Sequence, residues 1–166
     1  MTRLCALACC AALVASFSAA QAEEELGWLA QIELQRHTAL MEQVAGGLAP
    51  FTTDGCSGGL SWTWRKAVAA FPDLAPAPGE TPAWEQCCIT HDRAYHDASG
   101  ATGAGDSYAA RLTADRALQT CVAALGEGPE TLFYDQLGRV MFHAVRFGGG
   151  PCSGLSWRWG YGFADC

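Results

Sequence analysis

Hydrophobic and polar residues alternate with a helical period along most of this chain. Between residues 23 and 47, apolar side chains recur three or four positions apart, and Gly46 and Gly47 end the run. Three further stretches predict helices, at about 82–97, 106–125 and 130–147. The pattern therefore predicts an all-α fold.

Segments rich in glycine, proline and aromatic residues separate or follow these predicted helices. Residues 48–61 have the composition of a loop, and a short aromatic piece follows at 62–71. Prolines then mark an irregular connection that ends near Pro82, where the next helix begins. Residues 152–166 predict an irregular tail, and we expect most of the tryptophans to pack in the core.

The first residues have the pattern of a signal peptide. Arg3 precedes an apolar run from position 4 to about 17, and an Ala-x-Ala cleavage site ends at Ala22. Residues 1–22 are therefore predicted to be a signal peptide and 23–166 a single domain. Cys9 and Cys10 leave a lipoprotein signal open as the alternative. We expect a secreted or periplasmic protein with no transmembrane segment, because no later apolar run is long enough to span a bilayer.

The acidic charge balance narrows the range of partners. The chain has a formal charge of −7, and loss of Arg3 with the predicted signal peptide makes it more negative. A domain this acidic argues against nucleic acid as a partner and against strong electrostatic capture by anionic lipid. Acidic side chains do suit Ca²⁺, which takes oxygen ligands.

Six of the nine cysteines lie outside the predicted signal peptide. An even number in an exported chain predicts three disulfides, but the count alone does not choose among the possible pairings. The six are Cys56, Cys87, Cys88, Cys121, Cys152 and Cys166.

The stretch with the most chemistry is Cys-Cys-Ile-Thr-His-Asp-Arg-Ala-Tyr, residues 87–95. On a helix, Cys87, His91 and Tyr95 share one face, while Asp92 points about 100° away from His91. A histidine that takes a proton from water, next to a carboxylate that holds a hard cation, is a minimal metal-assisted hydrolase.

This stretch resembles the active-site helix of secreted phospholipases A2, whose pattern is Cys-Cys-x-x-His-Asp-x-x-Tyr. The resemblance covers about residues 50–122. It implies a disulfide-stapled helical fold in which two antiparallel long helices carry the active site. His91 would take a proton from water, and Asp115 on the second helix would orient it, with Cys121 at the family's spacing from Asp115.

The resemblance also implies the reaction and its setting. The activity would be hydrolysis of the sn-2 ester of glycerophospholipids at a membrane or micelle surface, releasing a fatty acid and a lysophospholipid. We expect a monomer. Some of the aromatic residues would line the entrance for an acyl chain.

A loop of sequence Asp-Gly-Cys-Ser, residues 54–57, resembles the divergent calcium loop of bacterial and group XII-like members. The resemblance implies Ca²⁺ bound by the carboxylates of Asp54 and Asp92 and the backbone carbonyl of Gly55. An Asp-Gly turn without an ion is the alternative.

The resemblance further implies disulfides between Cys87 and Cys121 and between Cys56 and Cys88. With these two pairs taken from the family, Cys152 and Cys166 make up the third. A bridge at Cys87 and a hydrogen bond at His91 are compatible on antiparallel helices, since both displacements along the axes are similar.

Other interpretations of the same residues stay open. The chain could be a non-catalytic lipid- or protein-binding member of the fold, or a zinc module built from Cys87, Cys88, His91 and His96. Asp115 could be a surface carboxylate one turn from Arg111. Tyr95 could bind Asp115 or belong to the core. We expect His96 to face away from His91, and His37 and His143 to be solvent or packing residues.

Overall fold

A computed structural model describes residues 27–56 and 81–166. Over these two ranges the regular structure is helical and contains no strand, which confirms the all-α prediction for this part of the chain. The predicted signal peptide, the aromatic piece at 62–71 and nearly all of the proline-rich connection lie outside the described residues.

The predicted helices are all present. Residues 27–43 are helical (α1), and a 3₁₀ turn, Val44–Gly46, follows them. The other helices begin and end within three residues of the predicted bounds: α2 is Glu85–His96, α3 is Ala104–Ala123 and α4 is Thr131–Gly148. The 3₁₀ turns Ala98–Gly100 and Gly128–Glu130 precede α3 and α4.

The two longest of these helices approach each other closely, and α3 also packs against α2. A glycine permits the approach of α4 to α3. A Cβ at Gly138 would lie 2.6 Å from the carbonyl oxygen of Gln119, where real side chains do not fit. This places α3 between α2 and α4, so that its side chains face both.

Two buried clusters divide the molecule into two ends. The first, which we call the apolar end, contains two disulfides and a group of hydrophobic side chains. Its buried members are Cys56, Trp84, Cys87, Cys88, Leu118, Val122 and Met141. The second, the polar end, surrounds Leu40, Tyr95 and Trp159. Polar and charged residues are buried beside it, among them His37, Ser107, Arg111 and Asp115.

Three disulfides are present, and their pairing is the one that the resemblance implied. Cys87 bonds to Cys121 and Cys56 to Cys88. The third joins Cys152 to Cys166. The zinc module is wrong for this structure, because a cysteine in a disulfide has no thiolate to offer a metal.

The irregular tail holds the carboxyl end of α2. The backbone amide of Gly160 donates to the carbonyl of Tyr95 at 2.6 Å, and that of Gly162 donates to the carbonyl of His96 at 2.9 Å. These are orphan carbonyls of the last helical turn, which need partners from outside the helix. Gly162 also accepts a hydrogen bond from the amide of Ala49 at 2.8 Å, which ties the segment before the Asp-Gly loop to the tail.

Candidate active site

His91 and Asp115 meet across the contact between α2 and α3. His91 Nε2 lies 2.8 Å from Asp115 Oδ1, and both side chains are buried. The Cys87–Cys121 disulfide joins the same two helices, four residues before His91 on α2 and six residues after Asp115 on α3, which fixes their antiparallel register. Because Asp115 takes Nε2 as a donor, Nδ1 is the ring nitrogen left to accept a proton.

Tyr95 supports the same carboxylate. Its hydroxyl donates to Asp115 Oδ1 at 2.7 Å. Burial raises the pKa of Tyr95, and the nearby negative charge of Asp115 adds to the effect, so the phenol stays protonated and remains a donor. The structure shows both features considered for Tyr95: it donates to Asp115, and it is a buried member of the core at the polar end.

Asp115 is buried, so the interpretation of it as a surface carboxylate is wrong. Arg146 of α4 donates through Nη1 to Asp115 Oδ2 at 3.1 Å. Arg111, one turn before Asp115, binds other groups. Both oxygens of Asp115 thus receive donors, as buried polar atoms require.

Glu33 of α1 joins the two arginines. Arg146 Nη2 donates to its two carboxylate oxygens at 2.8 and 2.9 Å, and Arg111 forms an ion pair with it. Burial on its own would raise the pKa of Glu33, but His37 and the two arginines outweigh burial and lower the pKa to about 2. Glu33 is therefore ionised at neutral pH.

Arg111 also stabilises the end of α4. Its Nη2 donates to the carbonyls of Val145 and Arg146 at 2.8 and 2.9 Å, where a cation complements the helix dipole. Its Nε donates to the Tyr95 hydroxyl at 3.3 Å. Sequence reasoning assigned no role to Glu33 or Arg146. It considered Arg111 only as a surface partner of Asp115.

The remaining histidines differ in their surroundings. His37 is fully buried, with Nδ1 2.8 Å from the Ser107 hydroxyl, so it is a packing residue rather than a solvent-exposed one. His96 is buried against the rings of Phe51 and Tyr161, away from the His91–Asp115 pair. His143 is exposed.

The Asp-Gly loop reaches α2 through Thr53. The Thr53 hydroxyl donates to Asp92 Oδ2 at 2.6 Å and accepts from the amide of Gly55 at 3.0 Å. Gly55 has a φ of +75°, and a Cβ there would collide with the carboxylate of Glu85. The structure thus brings the three predicted metal ligands, Asp54, Gly55 and Asp92, to one side of the molecule.

Neighbouring charges and burial both act on Asp92. Burial raises the pKa of Asp92, and the charges of Asp54 and Glu85 add to the rise, against the opposing effects of Thr53 and His91. Two carboxylates and a backbone carbonyl are hard oxygen donors of the type that Ca²⁺ takes. Among residues 27–56 and 81–166, no group of three or more His, Cys, Asp or Glu side chains forms a metal site by itself.

Two cavities meet at Asp92 and Trp157. The larger, of about 300 Å³, reaches His91 and is otherwise lined mainly by apolar side chains from α3, α4 and the disulfides. The smaller, of about 250 Å³, is lined by polar groups that include Asp54, Thr53 and Tyr161. We call them the apolar cavity and the polar cavity.

No protein-family model, curated protein or solved structure matches this chain. Across the two described ranges, no helix combines the length and the hydrophobicity that a membrane span requires. The three disulfides are consistent with an exported protein.

Proposed function

We propose that this protein is a calcium-dependent, phospholipase A2-like hydrolase of the sn-2 ester of glycerophospholipids. The observation that carries the proposal is the buried hydrogen bond of His91 to Asp115 beside a cavity that also contains Asp92. A base and an acidic oxygen ligand then line one space in which an ester could lie, and the orienting carboxylate lies buried behind the base.

In this proposal His91 is the general base. Its Nδ1 takes a proton from a water molecule as that water attacks the ester carbonyl. Asp115 holds the ring in the tautomer that leaves Nδ1 unprotonated and stabilises the imidazolium that forms. Tyr95 keeps Asp115 in place through its hydroxyl.

Asp54, Gly55 and Asp92 are the residues that would hold Ca²⁺ through two carboxylates and one carbonyl. A cation bound there would polarise the ester carbonyl and stabilise the negative charge that develops on its oxygen. The hydrogen bond from Thr53 to Asp92 joins the loop to the helix that carries the base, so the ligands and His91 share one rigid support.

The two cavities suit the two parts of a phospholipid. The apolar cavity offers an acyl chain a hydrophobic lining next to His91, and the polar cavity offers a head group a polar lining next to Asp54. Trp157 lines both, at the position where an aromatic side chain would separate chain from head group.

The test is fatty-acid release from mixed phospholipid micelles, measured with Ca²⁺ and then with a chelator. We expect release that needs Ca²⁺. His91→Gln should lower the rate by about 10²–10⁴-fold, since it removes the general base. Asp54→Asn should raise the Ca²⁺ concentration needed for half-maximal activity. The matched controls are His143→Gln and Asp106→Asn, both exposed and lining neither cavity.

Two results would contradict the proposal. One is equal release with Ca²⁺ and with chelator. The other is no release from protein that has no free thiol and therefore has its disulfides intact. Binding of phospholipid without release would instead favour the non-catalytic member of the fold.

A further inference from the structure

We propose that Arg146 is a positioning residue for the His91–Asp115 pair and that Glu33 holds Arg146 in place. This inference rests on the proposed function, because it assigns to two further residues the orientation of the base's carboxylate. Arg146 lies on α4 and Glu33 on α1, helices that carry neither His91 nor Asp115.

The geometry at Asp115 gives Arg146 a distinct task. Both His91 and Tyr95 bind Oδ1, at 2.8 and 2.7 Å. The contact to Oδ2 comes from Arg146, at 3.1 Å. With donors on one oxygen only, the carboxylate could rotate about its Cβ–Cγ bond. Arg146 therefore fixes the plane in which Asp115 presents Oδ1 to the imidazole.

Arg146 is itself fixed by a paired contact. One of its nitrogens reaches both carboxylate oxygens of Glu33, while the other reaches Asp115. The charges alternate from Glu33 through Arg146 to Asp115, which keeps two buried or half-buried carboxylates from repelling each other. Charge-assisted contacts of this kind are the stronger class of hydrogen bond.

Arg146 acts through Asp115 and not on the substrate. It lines neither the apolar nor the polar cavity, whereas its neighbour Val145 lines the apolar one. Removing its guanidinium should therefore change the rate of the chemical step and leave substrate binding nearly unchanged.

The first experiment compares Arg146→Ala with the parent on a short-chain phospholipid kept below its micellar concentration, with Ca²⁺ present. We expect kcat to fall by about 10–100-fold, as it does when a second group that orients a reactive one is lost, with KM within about twofold. Added ethylguanidinium should restore part of kcat, because the Arg146 side chain is 19% exposed and its site is open to a small ion. Arg146→Lys should recover part of kcat as well.

Arg139→Ala is the matched control. Arg139 lies on the same helix and forms an exposed ion pair with Asp135 at 3.2 Å, so its loss should leave kcat and ethylguanidinium sensitivity at the parent's values. If Arg146→Ala does not fold, Glu33→Gln replaces it. That variant keeps the guanidinium but loses the charge that holds it, and we expect a smaller fall in kcat with unchanged KM.

A second readout does not depend on turnover. The His91 Nε2 proton, assigned by its loss in His91→Gln, should exchange slowly with water in the parent and at least about tenfold faster in Arg146→Ala or Glu33→Gln, because a rotating carboxylate breaks its hydrogen bond more often.

The outcomes separate the two proposals. If the parent protein has no activity, but its His91 Nε2 proton exchanges faster with water in Arg146→Ala, the proposed function is overturned and the positioning role is kept. Parental kcat and parental proton exchange in folded Arg146→Ala, or in Glu33→Gln where the first variant does not fold, would overturn the positioning role. A fall in kcat that neither ethylguanidinium nor lysine repairs, with parental proton exchange, would also overturn it.

Discussion

The apolar end and the polar end of this molecule are held together by different forces. At the apolar end, two disulfides and hydrophobic side chains such as Leu118 and Val122 fill the space between helices. At the polar end, ion pairs of Glu33 with Arg111 and Arg146 join α1 to α3 and α4. The His91–Asp115 pair lies where the two meet.

The difference shows how one helix can serve both ends. The buried residues of α3 form one stripe along its axis, which is mainly polar in its first half and apolar in its second. In order they are Ser107, Arg111, Ala114, Asp115, Leu118 and Val122. In the proposed mechanism the polar half orients His91, and the apolar half fixes the register of the helices. We therefore expect substitutions at the polar end to change rate first and those at the apolar end to change stability first.

The largest expected effect is that of Asp115→Asn at the polar end. An amide presents an NH₂ group to one of three donors, so the hydrogen bonds to His91, Tyr95 and Arg146 cannot all be kept. We expect the initial rate of fatty-acid release to fall by about 10³–10⁴-fold, in keeping with the loss of a histidine's orienting carboxylate in other hydrolases. Asp135→Asn, exposed on α4, is the control, and a rate within about tenfold of the parent in Asp115→Asn would contradict the assignment.

Removing the Cys87–Cys121 disulfide tests the apolar end. In Cys87→Ala/Cys121→Ala the unfolded chain regains the freedom of a 34-residue loop, and we expect the free energy of unfolding to fall by about 2–5 kcal/mol. Denaturant titration measures this, and the rate per folded molecule should change by less than about tenfold. Cys152→Ala/Cys166→Ala, which opens a 14-residue loop, should lose about 1 kcal/mol less. If the rate per folded molecule in Cys87→Ala/Cys121→Ala falls by more than about tenfold, the two ends of the molecule do not act separately.

The smallest expected effect is a loss of stability at acid pH that comes from Glu33 at the polar end. The folded-state pKa of Glu33 is about 2, below the ordinary 4.5, so ionised Glu33 stabilises the fold above pH 4.5 and the contribution is lost as pH falls toward 2. At pH 7, Glu33→Gln should cost on the order of 1–2 kcal/mol, a value reduced for solvent screening. Denaturant titrations at a series of pH values measure the difference in the free energy of unfolding between parent and Glu33→Gln. This difference should shrink toward zero as pH falls to about 2. Glu42→Gln, exposed on α1, should show no such convergence.

Local patterns predicted the helices well. Three- and four-residue spacing depends on neighbouring residues, and the bounds of α2, α3 and α4 were predicted to within three residues. The pairing of the cysteines came from the resemblance and is confirmed. The roles proposed for His91, Asp115 and the loop ligands stay predictions.

The polar end escaped prediction because its contacts link distant parts of the chain. Glu33 and Arg146 are separated by 113 positions, and a charged residue is usually a solvated one. One signal was available in α3. Arg111 and Asp115 continue the helical stripe of Leu118 and Val122, and charged residues on a core stripe indicate a buried network. The partners of that network have no comparable local signal.

The hydrogen bonds from Gly160 and Gly162 to the last carbonyls of α2 have a consequence for the order in which the molecule forms. During synthesis, α2 and α3 emerge long before the tail, so the carboxyl end of the helix that bears His91 begins without its partners. The segment before the Asp-Gly loop also lacks a partner at this stage, since the amide of Ala49 donates to the carbonyl of Gly162. A nascent chain therefore carries every proposed catalytic residue while the end of α2 and this neighbouring segment are still untethered. On this schedule, the carboxyl end of α2 gains these hydrogen bonds only after residues 160–162 have emerged.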